Sequence, residues 1–268
     1  MQEHCKDYQG VGAEMTDTPL VSIIIPCFNT ERFVAEAIYS ACDQTYKNIE
    51  VIVIDDGSTD GSFQKIRDAL HTATPHRRNQ IIRLAENHGA CYAVDTGFFH
   101  SAGKYAMMLA ADDVLVNGNY VEDAANALET SGAGWCYSTI TLVGSHPKSA
   151  EPVFSKWLLH PILDNFVLQF PFLCEILLDY RNPVNSSSLM LNMNMFRLNN
   201  LSWSKGNPRG VCDGLLLRQL FRKEIPGISL HTLGTFYRTH GAQLSKTTAF
   251  NKALEDFRGK LITPAKTR

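Results

Sequence analysis

Two stretches of this chain place carboxylates where apolar runs end. Met107-Met108-Leu109 leads through two alanines into Asp112-Asp113, and Ile49–Ile54 runs directly into Asp55-Asp56-Gly57-Ser58-Thr59-Asp60. A lone Asp-Asp pair often does no more than begin a loop. Here the pairs follow strand-like segments, and the carboxyl edge of an open α/β sheet is where such folds bind ligands. Adjacent carboxylates are costly to hold together without a cation. The chemistry they suit is therefore a divalent metal with a diphosphate on its far side.

The elements that must position these groups alternate. Val21–Pro26 is a continuous β-branched run, the pattern of a strand buried on both faces. A helix is expected over Glu31–Ala41, capped by Asn29 or Thr30, with Phe33, Val34, Ala37, Ile38 and Ala41 on one face. Strand Ile49–Ile54, helix Phe63–Leu70, strand Gln80–Leu84, the turn Asn87-His88-Gly89, helix Ala90–Ser101 and strand Tyr105–Leu109 follow. Short connections and right-handed crossovers make this an α/β, doubly wound, mostly parallel sheet. Asp55, Asp56, Asn87 and Asp112 then emerge on one edge. Later segments are less regular: a helix over Tyr120–Ser131, strands over Trp135–Val143 and Leu189–Leu191.

Composition narrows the class. The 268 residues carry a net charge of −2, with 44% hydrophobic content, which argues against nucleic acid as a partner. The seven cysteines are odd in number, widely spaced and without a CxxC, which argues against a disulfide framework or structural zinc and for a reducing cytoplasm. No secretory leader is apparent before Pro19, and residues 1–18 and 246–268 are expected as a leader and a polar tail around one domain. A calcium loop beginning at Asp56 fails because its twelfth position is Arg67. A P-loop at Gly97…Gly103-Lys104 is one residue too long and continues with Tyr105, and no GxGxxG follows the first strand.

Together, PCFNTERFVAEAIYSACDQTYKNIEVIVIDDGSTDGS and ENHGACYAVDTGFFHSAGKYAMMLAADDVL resemble the inverting glycosyltransferases of family 2, which have the GT-A fold. The resemblance is continuous from Pro19 to Leu115 and scattered to Ser245. It implies a nucleotide-sugar half over 19–115 and an acceptor half over 116–245. It also implies a nucleoside-diphosphate-sugar donor, UDP favoured, with Mn2+ or Mg2+. Pro26, Phe28, Asn29 and Glu31 correspond to the loop around base and ribose, Asp55 to the base-binding Asp, and Asp56 to its neighbour near the ribose. Asn87 and Gly89 correspond to the turn beneath the donor, and Asp112 to the last Asp of the D-x-D metal motif, with Asp113 adjoining. Ala110 stands where the first Asp of that motif is usual.

Further on, Asp213 matches the catalytic base of the family's E-D signature, with Cys212 in place of Glu. His240, in Tyr237-Arg238-Thr239-His240, matches the His that reaches the metal or leaving diphosphate. The apolar segment Trp157–Tyr180 is expected either as core helices or as a surface for a lipid-linked or glycan acceptor, a membrane face or a dimer partner. A membrane-peripheral location follows from the second reading. A nucleotidyltransferase shares the wound sheet and metal-phosphate chemistry but usually shows a Gly-rich basic loop, where this chain has Cys27-Phe28-Asn29-Thr30. A binding relative with weakened turnover is the other alternative.

Overall fold

The computed structural model describes residues 18–73, 78–144, 185–207, 211–241, 243, 247–248 and 251–252. The segment Trp157–Tyr180, residues 1–17 and most of the tail lie outside the described residues.

The continuous apolar runs form the centre of the sheet. β1 (Val21–Cys27), β2 (Ile49–Asp55), β3 (Arg78–Arg83) and β4 (Tyr105–Met108) pair in parallel. β7 (Leu189–Asn192) lies antiparallel between β4 and β6 (Trp135–Val143). β8 (Gly227–Arg238) runs parallel to β6, and β5 (Val114–Leu115) closes the far edge antiparallel to β8. The order is β3-β2-β1-β4-β7-β6-β8-β5.

Neighbouring residues of one strand point to opposite faces, so a single isoleucine run fills two cores. Ile23, Ile25, Val51 and Val53 pack with α1 (Val34–Cys42), α2 (Ser62–Ala73) and α4 (Tyr120–Ser131). Ile24, Ile52 and Ile54 pack with α3 (Ala90–His100), α5 (Met193–Leu198) and α6 (Cys212–Arg222). All seven of those strand residues are fully buried. Each such side chain contributes about 1.5–3 kcal/mol, which is why this half of the sequence is so strongly patterned. One charge sits among them: buried Glu50 accepts from Ser22 Oγ at 2.5 Å and from Ala102 N–H at 2.7 Å, fixing the return from α3 into β4.

Three features differ from the sequence expectation. α1 begins at Val34 rather than Glu31, because the N–H groups of Asn29, Thr30 and Glu31 donate to Ser58, Ser62 and Asp60. The twelve-residue strand β8 was not expected. It alternates polar and apolar residues unevenly and meets β6 through register shifts at Ser138–Ile140. Finally, Cys91 and Cys212 form a disulfide, with Cα atoms 5.2 Å apart, against the expectation of thiols throughout. The partners are 121 residues apart and meet only because α3 and α6 cover the same sheet face. Cys27, Cys42 and Cys136 are buried, as small hydrophobes are. Among the described residues, no helix is long and apolar enough to cross a membrane.

Candidate active site

The loops after β1 and β2 are stitched together. Asn29, held at φ +51°, accepts Thr59 N–H on its Oδ1 at 2.9 Å, and Glu31 Oε2 accepts Gly61 N–H at 2.7 Å. Phe28 stays 43% exposed on the same loop, and Pro26 is half-buried at the strand end. Gly57 lies at φ +69°, and a Cβ there would come within 2.6 Å of the Glu86 backbone, so only glycine fits the turn. Asp55 is fully buried, with Ser58 N–H on Oδ1 at 3.0 Å. Its Oδ2 lies 3.2 Å from Arg83 Nε but outside hydrogen-bond geometry. The half-exposed Arg83 guanidinium covers the Phe63 ring at 4.2 Å. Gly57, Ser58, Thr59, Arg83, Leu84 and Ala85 line a cleft of about 560 Å³ beside this pair.

Asp56 does something else. Its two oxygens accept the N–H groups of His88, at 2.8 Å, and Gly89, at 2.9 Å. Gly89 adopts φ +103° and caps the start of α3. The side chain expected near a ribose is thus spent on holding the Asn87-His88-Gly89 turn, and it is buried. Asn87 is half-buried on that turn.

The acidic pair after β4 divides its labour. Asp112 Oδ2 lies 3.0 Å from His240 Nε2, across 128 residues, and both side chains remain partly exposed. The His240 ring packs on Phe33 with centroids 4.6 Å apart. Asp113, expected as a second metal ligand, is 1% exposed and has both oxygens committed. Ser187 Oγ donates to Oδ2 at 2.6 Å, and Arg238 N–H donates to Oδ1 at 3.0 Å. It ties the acidic turn to Ser187 and to the end of β8. Burial and the neighbouring Asp112 charge push its carboxyl up to about 8, against the opposing pull of Ser187 and Arg238. The same Ser187 Oγ accepts Ala110 N–H at 3.1 Å, so one hydroxyl links both sides of the acidic turn. Arg238 itself is buried, pairs with Glu36 at 2.8 Å and lies over Phe33.

Asp213 is the second residue of α6, whose N-cap is Val211, so it is not the capping side chain. Its half-buried carboxylate accepts Gly214 N–H at 2.8 Å. The disulfide brings the start of α6 against the first turn of α3, beside the turn that Asp56 clamps. Ala110 and Cys212 pack at the margin of the same apolar cluster. Two loop systems and the first turn of α6 therefore flank one edge of the sheet.

Comparison with known proteins decides the family. The sequence profile of Glycosyl transferase family 2 matches residues 22–176, more than half of the chain. The chain belongs to glycosyl transferase family 2. An uncharacterized glycosyltransferase of Haemophilus influenzae is 30% identical over 199 residues, covering 72% of this chain and 58% of that protein. The chain spans from about a third to just over half of the curated relatives it matches, 32%, 38% and 33% in three further cases. Among solved structures, the mannosyltransferase PcManGT from Pyrobaculum calidifontis, in complex with GDP-Man and Mn2+, superimposes with a TM-score of 0.66 at 16% identity. It covers 94% of this chain and 67% of that one. S. aureus TarS 1–349 with UDP-GlcNAc gives 0.63 at 14% identity, covering 93% and 68%. These likenesses establish the GT-A fold of this family 2 chain.

Among the described residues, no group of three His, Cys, Asp or Glu side chains is disposed to hold a metal. Asp112 and His240 offer two donors from different elements. That fits a cation of the Mg2+ or Mn2+ kind, which takes its remaining oxygens from phosphate and water. Sequence reading missed Ser187, Glu36, Phe33, Arg83 and Cys91. Ser187 carried a signal, a serine run before an apolar strand; Glu36, Arg83 and Cys91 are ordinary helix or strand residues, and Phe33 an ordinary helix-start residue, until folding brings them here.

Proposed function

We propose that this chain transfers a sugar from a nucleoside-diphosphate sugar to an acceptor hydroxyl, with inversion at the anomeric carbon. The observation that carries this reading is the Asp112–His240 pair, set at one sheet edge with the Asp55–Arg83 cleft. The cleft is given to the nucleotide, with Asp55 and Arg83 at its base end and Pro26, Phe28, Asn29 and Glu31 forming the loop around it. UDP is the favoured nucleotide by family resemblance. The two superimposed structures hold UDP-GlcNAc and GDP-Man, so both nucleotides enter the test. Asn87 and Gly89 shape the turn beneath the donor, and Asp56 and Asp113 act as positioning residues.

Asp112 and His240 would hold a Mn2+ or Mg2+ ion. Such an ion neutralises the charge that develops on a departing diphosphate. Asp213 takes the proton from the acceptor hydroxyl, a step worth roughly 10²–10⁴-fold in rate. The acceptor oxygen bonds to the anomeric carbon as the bond to the diphosphate oxygen breaks. A single displacement of this kind inverts the centre and needs no enzyme nucleophile. The cytoplasm is the proposed compartment, with the Cys91–Cys212 disulfide standing against the thiols-only reading of the cysteine spacing. A glycan or lipid-linked hydroxyl is the proposed acceptor.

The test is a thermal-shift panel of UDP- and GDP-sugars with Mn2+, Mg2+ or EDTA, followed by assay of nucleoside-diphosphate release. Asp112→Ala should abolish the metal-dependent shift. Asp213→Asn should keep the donor shift and lose at least 10²-fold in transfer. Full turnover by Asp213→Asn overturns its role as base.

A further inference from the structure

We propose that Cys91 and Cys212 form a reversible oxidation site that latches the first turn of α6, and with it Asp213, onto α3. The coupling to turnover rests on the reading of Asp213 as the base; the oxidation site itself does not.

Gly89 caps α3 and Val211 caps α6, and neither makes a side-chain cap hydrogen bond. The disulfide joins these two starts, from the second residue of α3 to the first of α6. Asp213 follows directly in the joined turn. On the α3 side the anchor is firm, because Asp56 holds the N–H groups of His88 and Gly89 and Cys91 is fully buried. On the α6 side, Leu216, Leu217, Leu220 and Phe221 anchor the helix beyond its first turn, and Cys212 packs at the margin of the same cluster. With the sulfur bond open, the turn carrying Asp213 loses its covalent tie to α3 and sits at a helix end, where local opening is easiest.

The exposures give the exchange a direction. Cys212 is half-buried and Cys91 fully buried, so an incoming thiolate meets Cys212 Sγ first. That attack breaks the Cys91–Cys212 bond and forms a mixed disulfide on Cys212. Cys91 leaves as a thiolate and takes up a proton. A second thiol then attacks the mixed disulfide and releases Cys212. The net reaction passes two electrons and two protons to the protein from two small thiols, which leave as one small disulfide. The reverse uses a small disulfide as oxidant. Disulfides of proteins kept under reducing conditions are usually of this transient kind.

The test uses the full chain equilibrated in oxidised glutathione or in dithiothreitol. Peptide mapping should recover Cys91 linked to Cys212 in the first buffer and two thiol peptides in the second. Amide exchange in the first turn of α6 should be about tenfold slower in the oxidised protein. Cys91→Ser should show the fast exchange in both buffers. Nucleoside-diphosphate release from the stabilising UDP- or GDP-sugar should fall about tenfold on reduction, in kcat rather than in donor KM.

Failure to recover the linked peptide at any glutathione ratio overturns the oxidation site. Linkage with unchanged exchange in α6 overturns the latch. Linkage and altered exchange with unchanged turnover overturn its coupling to Asp213. Retained turnover in Asp213→Asn instead removes the base assignment and leaves the linkage result standing.

Discussion

Ser187 and Asp113 show how much of the site rests on one hydroxyl. Ser187 Oγ donates to a buried carboxylate and accepts a half-buried backbone N–H, so removing it leaves both short of a partner. Ser187→Ala should cost roughly 1–3 kcal/mol of unfolding free energy, read by urea denaturation. Asp113 adds a pH effect. Its carboxyl is held up at about 8 in the fold by burial and by Asp112, against about 3.9 in an unfolded chain. The folded state then binds the proton more tightly, and its stability falls as pH rises from about 4 to about 8. Denaturation in EDTA across that range should show this slope in the wild type and its loss in Asp113→Asn. Sequence alone could not divide Asp112 from Asp113. Both are Asp after the same strand, and only the arrival of Arg238 at the end of β8 and of His240 just beyond it tells them apart.

Among the elements, the crossover β1-α1-β2-α2 was legible because its strands are buried on both faces and its turns carry Gly57 and Asp60. Asp60 Oδ1 accepts Ser62 N–H at 2.9 Å at the start of α2. Gly57→Ala should be disruptive rather than mild, since φ +69° and the Glu86 backbone both oppose a side chain. A stability loss of roughly 1–3 kcal/mol is expected for such strain, with weakened nucleotide-sugar stabilisation in the thermal-shift panel. β8 was not legible. Its neighbours β5 and β6 lie far away in sequence, and its own residues lack a clean period of two. Yet β8 ends on Arg238 and leads two residues later to His240, so the element hardest to see is the one that completes the acidic turn.

For the molecule as a whole, residues on the sheet edge were foreseeable from topology, whereas the covalent tie between α3 and α6 was not. Cysteine spacing carries no information about partners 121 residues apart. A bridge closing so long a loop restricts the unfolded chain by up to roughly 4–5 kcal/mol. Cys91→Ser, or wild type in dithiothreitol, should therefore unfold at lower urea than the oxidised protein, with the midpoint the decisive reading. One last feature concerns arrival rather than stability. Because the loops after β1 and β2 are already bound to each other through Asn29, Thr30 and Glu31, the nucleotide proposed to bind there would have no loop to order. Little conformational entropy is lost at that wall, and the rate of capture is left to diffusion and charge instead of a search among loop shapes.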